Sequence, residues 1–121
     1  MKSIKILLCL TLMLTAITVT YAQQKKPLVV LLKYKTQPGK DSIALSGLIN
    51  LIEQVKKEPG YMNIIVHVDP NDKTNILLYE QWSDGNYYKG EHLNTPHLQK
   101  FMVEARSFLT GPPEISFWNM Y

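Results

Sequence analysis

Residues 79–98 read Tyr79-Glu80-Gln81-Trp82-Ser83-Asp84, then Gly85-Asn86-Tyr87-Tyr88-Lys89-Gly90-Glu91, then His92-Leu93-Asn94-Thr95-Pro96-His97-Leu98. The first of these closes a β-rich run that begins at Thr74, in which Ile76, Leu78, Glu80 and Trp82 share one face by the two-residue period of a strand. Ser83-Asp84 is a helix-capping pair and predicts a short helix towards His92. Thr95-Pro96 is a second start signal, a capping hydroxyl before a proline whose missing N–H costs nothing at the first helical position. From there Leu98, Phe101, Met102, Ala105, Phe108 and Leu109 form a continuous apolar stripe at helical spacing.

The rest of the chain orders itself around this strand and split helix. Leu28 to Tyr34 is apolar and β-rich, with Lys33 and Lys35 alternating outward, and Gln37-Pro38-Gly39 breaks it. Asp41 or Ser42 is expected to cap a helix reaching about Lys57, because Leu45, Leu48, Ile49, Ile52 and Val55 recur at three- and four-residue intervals. Pro59-Gly60 stops it. A strand over Tyr61–Val68 should carry Met62, Ile64, Val66 and Val68 on one face and Tyr61, Asn63, Ile65, His67 and Asp69 on the other. Asp69-Pro70-Asn71-Asp72 is turn chemistry, and Glu114 to Met120 is a last strand after Gly111-Pro112-Pro113. The order β-α-β-β-α-α-β implies an α+β fold, a ferredoxin-like split β-α-β sheet with its helices on one face. Ile65, Tyr79, Trp118 and Met120 are then left on the uncovered face. An apolar patch of this kind marks an interface, so a homodimer paired through the sheet is expected.

The first residues read differently. Lys2 and Lys5 precede a mostly apolar run from Ile6 to Val19, and Thr20-Tyr21-Ala22 ends in a small residue before Gln23. This is a secretory signal-peptide pattern over residues 1–22, leaving one domain over residues 23–121 and predicting a periplasmic or secreted protein. The apolar run is shorter than the about 20 residues that span a bilayer, so no stable membrane anchor is expected after cleavage. The chain's one cysteine, Cys9, lies inside that run behind Leu8 rather than a small residue, so it is not a lipid attachment site. The domain therefore has neither disulfides nor thiolate chemistry. Of the formal net charge of +3, Lys2 and Lys5 supply a large part, and the near-neutral remainder offers no footprint for nucleic acid.

Tyr79-Glu80-Gln81-Trp82 followed by His92-Leu93-Asn94-Thr95-Pro96-His97-Leu98 resembles the antibiotic-biosynthesis-monooxygenase family, and within it the quinol monooxygenase branch. The likeness extends from Leu28 to about Tyr121, with its specific content between residues 79 and 102. It implies a dimeric α/β-barrel, two sheets packed face to face, and for some members oxygenation without a cofactor. Two departures bear on the site. Trp82 and His92 stand one residue further apart than is usual in relatives, and one extra residue turns a helix by about 100° unless Gly85 or Gly90 absorbs it. The heme-degrading branch carries Trp at the position of His92, His at that of Met102 and Asn near Leu32, none of which is present, so heme degradation is not implied.

Histidines are the side chains that titrate near neutral pH without help. His92, at the motif's first histidine, could bind a substrate hydroxyl or remove its proton, or pair structurally with Glu80 or a helix end. Glu80 sits among apolar neighbours and needs a partner. It is expected to anchor the His92 segment, or else to be a base with a raised pKa. Trp82 could stack on a planar ligand or simply be core, and His97 could bind substrate or only set the helix start. Tyr34 and Asn63 are candidate polar contacts, Phe101 and Met102 candidate pocket wall, and His67 belongs to an interface or to solvent. There is no glycine-rich phosphate cradle, no dinucleotide fingerprint and no His-x-x-x-His spacing. No cofactor or metal is expected.

The function these readings favour is an exported, cofactor-independent monooxygenase acting with O2 on a quinol-like or polycyclic aromatic substrate, with His92 and Glu80 as catalytic residues. Trp82, His97, Tyr34, Asn63, Phe101 and Met102 would bind the substrate. A small-molecule binding or stress-related module using the same cavity without turnover is the alternative. An isomerase or degradative enzyme for a small carbonyl compound is the third, and it calls for a more polar pocket than Leu78, Trp82 and Phe101 suggest.

Overall fold

The computed structural model describes residues 24–121; the signal-peptide reading of residues 1–22 lies outside them. Four strands, β1 (Leu28–Lys35), β2 (Tyr61–Val68), β3 (Asn75–Trp82) and β4 (Glu114–Trp118), form one antiparallel sheet in the order β2-β3-β1-β4. The helices are α1 (Asp41–Val55), α2 (Gly85–Lys89) and α3 (Pro96–Glu104), with 3₁₀ turns over Glu91–Asn94 and Ala105–Ser107. This is the ferredoxin-like α+β arrangement that the element order implies.

Alternation along the strands explains the layering. Leu28, Val30, Leu32 and Tyr34 of β1 stand opposite Trp82, Glu80, Leu78 and Ile76 of β3, and all eight are buried. The helices cover this face with Ala44, Leu48, Ile52 and Val55 of α1, Phe101 of α3, and Ala105, Phe108 and Leu109 beyond it. Gly47 lets α1 approach closely, since a Cβ there would stand 3.2 Å from the Phe108 ring. On the other face Ile65, Tyr79 and Trp118 lie on one side of the sheet, with Ile65 and Trp118 exposed.

Two local expectations are corrected. Helix α1 is capped by Lys40 without a side-chain bond, and Asp41 is its first helical residue. The Gln37–Lys40 turn, closed by Lys40 N–H to the Gln37 carbonyl with Gly39 at φ 73°, sets the helix start one residue earlier than a side-chain cap would. Strand β2 carries a bulge between Tyr61 and Asn63, which puts Tyr61 opposite Trp82 on the helix side and takes Met62 out of the alternation. Tyr61 therefore packs on the core, while Met62 is exposed.

The turn from α1 into β2 depends on Gly60, whose φ of 97° is outside the range of residues with a Cβ. Its carbonyl accepts from Ser83 N–H at 2.8 Å, fastening Glu58-Pro59-Gly60 to the end of β3. A Cβ on Gly60 would meet nothing closer than 3.6 Å, so the penalty of a substitution is in the backbone and not in space. Gly60→Ala should accordingly lower the unfolding free energy by roughly 1–2 kcal/mol in a urea titration, with little change in the slope of the transition.

Candidate functional site

The turn that Gly60 fixes carries the residue around which the site is built. The Glu58 side chain is 5% exposed and is surrounded by donors from three elements. His92 Nδ1 lies 2.9 and 3.1 Å from its two oxygens, His97 Nε2 lies 2.8 Å from Oε2, and the Tyr87 hydroxyl donates to Oε1 at 2.9 Å. An ionised carboxylate only accepts, so each imidazole nitrogen facing it carries a proton. In its neutral form His92 is thereby the Nδ1–H tautomer, with the lone pair on Nε2. His92 is itself buried and lines a cavity. Although Glu58, His92 and His97 are potential metal ligands, no group of three such side chains among the described residues is placed to hold a metal ion.

The local sequence explains how His92 reaches this position. Asp84 caps α2 by accepting from Asn86 and Tyr87 N–H, as the Ser83-Asp84 signal predicts. The helix ends at Gly90, where the chain passes into the 3₁₀ turn that carries His92. A Cβ on Gly90 would stand 3.1 Å from the Asn86 carbonyl, so the break falls at a residue without one. Carried on this 3₁₀ turn, His92 faces inward and is buried. The His92 ring closes a three-ring cluster with Trp82, 4.6 Å away between centroids, and Tyr88, stacked at 4.9 Å, which are themselves 5.3 Å apart.

Glu80 does not anchor His92. Its Oε2 accepts from Trp82 Nε1 at 2.8 Å, a bond between residues that face the same way two positions apart on β3. Burial pushes its pKa up to about 7, the Trp82 bond opposing that and the nearby Glu58 charge adding to it. Burial likewise pushes the Tyr34 and Tyr88 phenols well above their usual range, with the Glu80 charge adding to it. Neither phenol has a hydrogen-bond partner among the described residues.

Glu80, Tyr34, Tyr88 and His92 meet at one cavity of about 560 Å³ between the sheet and α3. Its walls are apolar, drawn from Leu32, Ile64, Leu78, Leu98, Phe101 and Met102 among others. The structure thus brings His92, Glu80, Tyr34, Phe101 and Met102 together. Three other candidates are placed elsewhere. Trp82 is fully buried beneath His92 and supports it instead of facing the cavity. His97 turns its Nε2 to Glu58 and does not line the cavity. Asn63 pairs with Gln81 on the outer face, across the sheet from the site, because side chains alternate along β2. Sequence reasoning missed Tyr88, which lines the cavity, and Glu58; Glu58-Pro59-Gly60 reads as a helix stop, and only the three-dimensional approach of Tyr87, His92 and His97 shows the role of Glu58.

With this geometry in view, comparison with known proteins defines the class. Residues 27–104 match the family described as antibiotic biosynthesis monooxygenase. The chain belongs to that family. Among solved structures, a Pseudomonas aeruginosa protein superposes with a TM-score of 0.73 at 22% identity, covering 83% of this chain and 99% of its own. A Mycobacterium tuberculosis protein gives a TM-score of 0.70 at 17% identity over 78% of this chain and 95% of its own. A structure described as an antibiotic biosynthesis monooxygenase gives 0.70 at 19% identity over 78% and 98%. At these identities the likeness is one of fold. No curated protein matches.

Two outcomes follow from the two carboxyl groups. Glu58→Gln leaves one acceptor oxygen for three donors and should lower the unfolding free energy by about 2 kcal/mol, against about 1 for Tyr87→Phe, by denaturant titration. For Glu80 the folded pKa of about 7 exceeds the ordinary 4.5, so the folded state binds the extra proton between those values. Its contribution to stability therefore falls as pH rises from 4.5 to about 7 and is level above. Glu80→Gln, which keeps an acceptor for Trp82, should remove that decline, worth on the order of 3 kcal/mol, when both proteins are unfolded across this pH range.

Proposed function

We propose that the protein is a cofactor-independent monooxygenase that oxidises a quinol-like or polycyclic aromatic substrate with O2. The observation that carries this reading is the clamping of His92 Nδ1 by Glu58 beside an apolar cavity, which leaves the other ring nitrogen as a base. His92 Nε2 takes the proton of the substrate's acidic hydroxyl or activated carbon, and the Glu58 carboxylate stabilises the imidazolium that forms. Glu80 in its protonated form, with the Tyr34 and Tyr88 hydroxyls, donates hydrogen bonds to the oxygen on which the negative charge settles. Because Glu80 changes protonation near pH 7, that donor is lost as the solution becomes alkaline.

The substrate supplies all the electrons. Its anion passes one electron to O2, and the resulting radical and superoxide combine to a hydroperoxide. Heterolysis of the O–O bond then leaves one oxygen atom in the product and releases the other as water; an anthrone and O2 become an anthraquinone and water. An apolar cavity suits both reactants, since it admits O2 and a fused-ring body and destabilises the ground-state anion relative to its delocalised transition state. The protein acts outside the cytoplasm after loss of residues 1–22, as a homodimer that covers Ile65, Tyr79 and Trp118.

Oxygen uptake by the purified protein, measured against hydroquinones and anthrones with autoxidation subtracted, tests this reading. Catalysed uptake should fall at least about a hundredfold in His92→Ala and substantially in Glu58→Gln, and it should decline above pH 7 in wild type. No uptake above background by the folded protein, with ligands that raise its melting temperature and are recovered unchanged, would identify a binding protein instead.

A further inference from the structure

Leu98, Phe101, Met102, Ala105 and Arg106 face the cavity at three- and four-residue spacing along α3 and the turn after it. From Leu98 to Arg106 is about 12 Å at the helical rise of 1.5 Å per residue, so the cavity has two distinct ends. At one end stand His92, Tyr88 and Glu80, with Glu58 behind His92. At the other stand Arg106, Thr110, Gly111 and Pro112.

The two ends differ in charge. Carboxyl groups dominate the first. The second holds the chain's one arginine among many lysines, and no carboxylate among the described residues is within ion-pairing distance of it. The turn bearing Arg106 is fixed. Gln37 Nε2 donates to the Arg106 carbonyl at 3.3 Å and to the Leu109 carbonyl at 3.0 Å, and Gln37 N–H donates to the Phe108 carbonyl at 2.8 Å. A guanidinium presents a planar fork that matches a carboxylate in a way a lysine ammonium does not.

We propose that Arg106 determines substrate specificity by pairing with a carboxylate at the end of the substrate remote from the hydroxyl that His92 and Glu80 receive. This rests on the reading of the cavity as an aromatic hydroxyl site and narrows its substrate to a planar hydroxyarene carboxylate. The charge gradient also sets the direction of binding, because a carboxylate directed towards the Glu58 charge behind His92 would be repelled. His92 therefore meets the hydroxyl end.

Calorimetric titration with 6-hydroxy-2-naphthoate and with its uncharged methyl ester separates the two claims. Wild type should bind the acid about tenfold more tightly than the ester at low ionic strength, a preference that shrinks as salt screens the exposed pair. Arg106→Gln should abolish the preference while changing ester affinity less than about twofold, and Arg106→Lys should restore part of it. Equal affinity for acid and ester in wild type, or a preference that survives in Arg106→Gln, overturns the role of Arg106 and leaves the aromatic cavity standing. Failure of both compounds to bind the folded wild type overturns the aromatic cavity as well.

Discussion

The Glu58 carboxylate gathers Tyr87 from α2, His92 from the 3₁₀ turn and His97 from the first turn of α3. These elements share little backbone hydrogen bonding, and each is too short to hold its orientation by helical cooperativity alone. A buried carboxylate is tolerated only when its lone pairs are occupied, and here three donors occupy them. The same contacts fix the path of residues 85–98 over the sheet and decide which nitrogen of His92 is free. Stability and chemistry therefore depend on one side chain, and that side chain depends on the positive φ of Gly60 two residues later.

A second support runs through Trp82. Its indole N–H holds Glu80 against the floor of the cavity, and its ring carries His92 and Tyr88. One core tryptophan thus positions both titratable groups at the cavity's inner end without meeting a ligand itself. The two carboxyl groups differ in how many donors reach them. Glu58 has three donors to stabilise its charge, whereas Glu80 has one and lies in an apolar setting, so its proton is retained to about pH 7.

Element order, sheet class and the inward faces of β1, β3 and α3 are legible in the sequence because they follow from period-two and period-3.6 patterns and from strong punctuation at Pro38-Gly39, Pro59-Gly60 and Thr95-Pro96. Glu80 and His92 are legible as well, as polar groups beside apolar neighbours. What periodicity does not carry is contact across long separations. Glu58 and His92 are 34 residues apart, and nothing in Glu58-Pro59-Gly60 distinguishes a structural stop from the anchor of a site. The bulge that turns Tyr61 inward leaves no mark in the alternation either. For Asn63 and Trp82 the side-chain direction was readable, but the side on which the cavity opens was not.

That Glu58 holds His92 through Nδ1 and leaves Nε2 unprotonated can be read from ¹⁵N NMR of the imidazole side chains in wild type and Glu58→Gln, at a pH where the ring is neutral. Wild-type His92 should be the Nδ1–H tautomer with an unprotonated Nε2, and Glu58→Gln should shift it to a mixture of tautomers. A wild-type His92 protonated on Nε2, or a tautomer unaffected by the loss of the Glu58 charge, would contradict it.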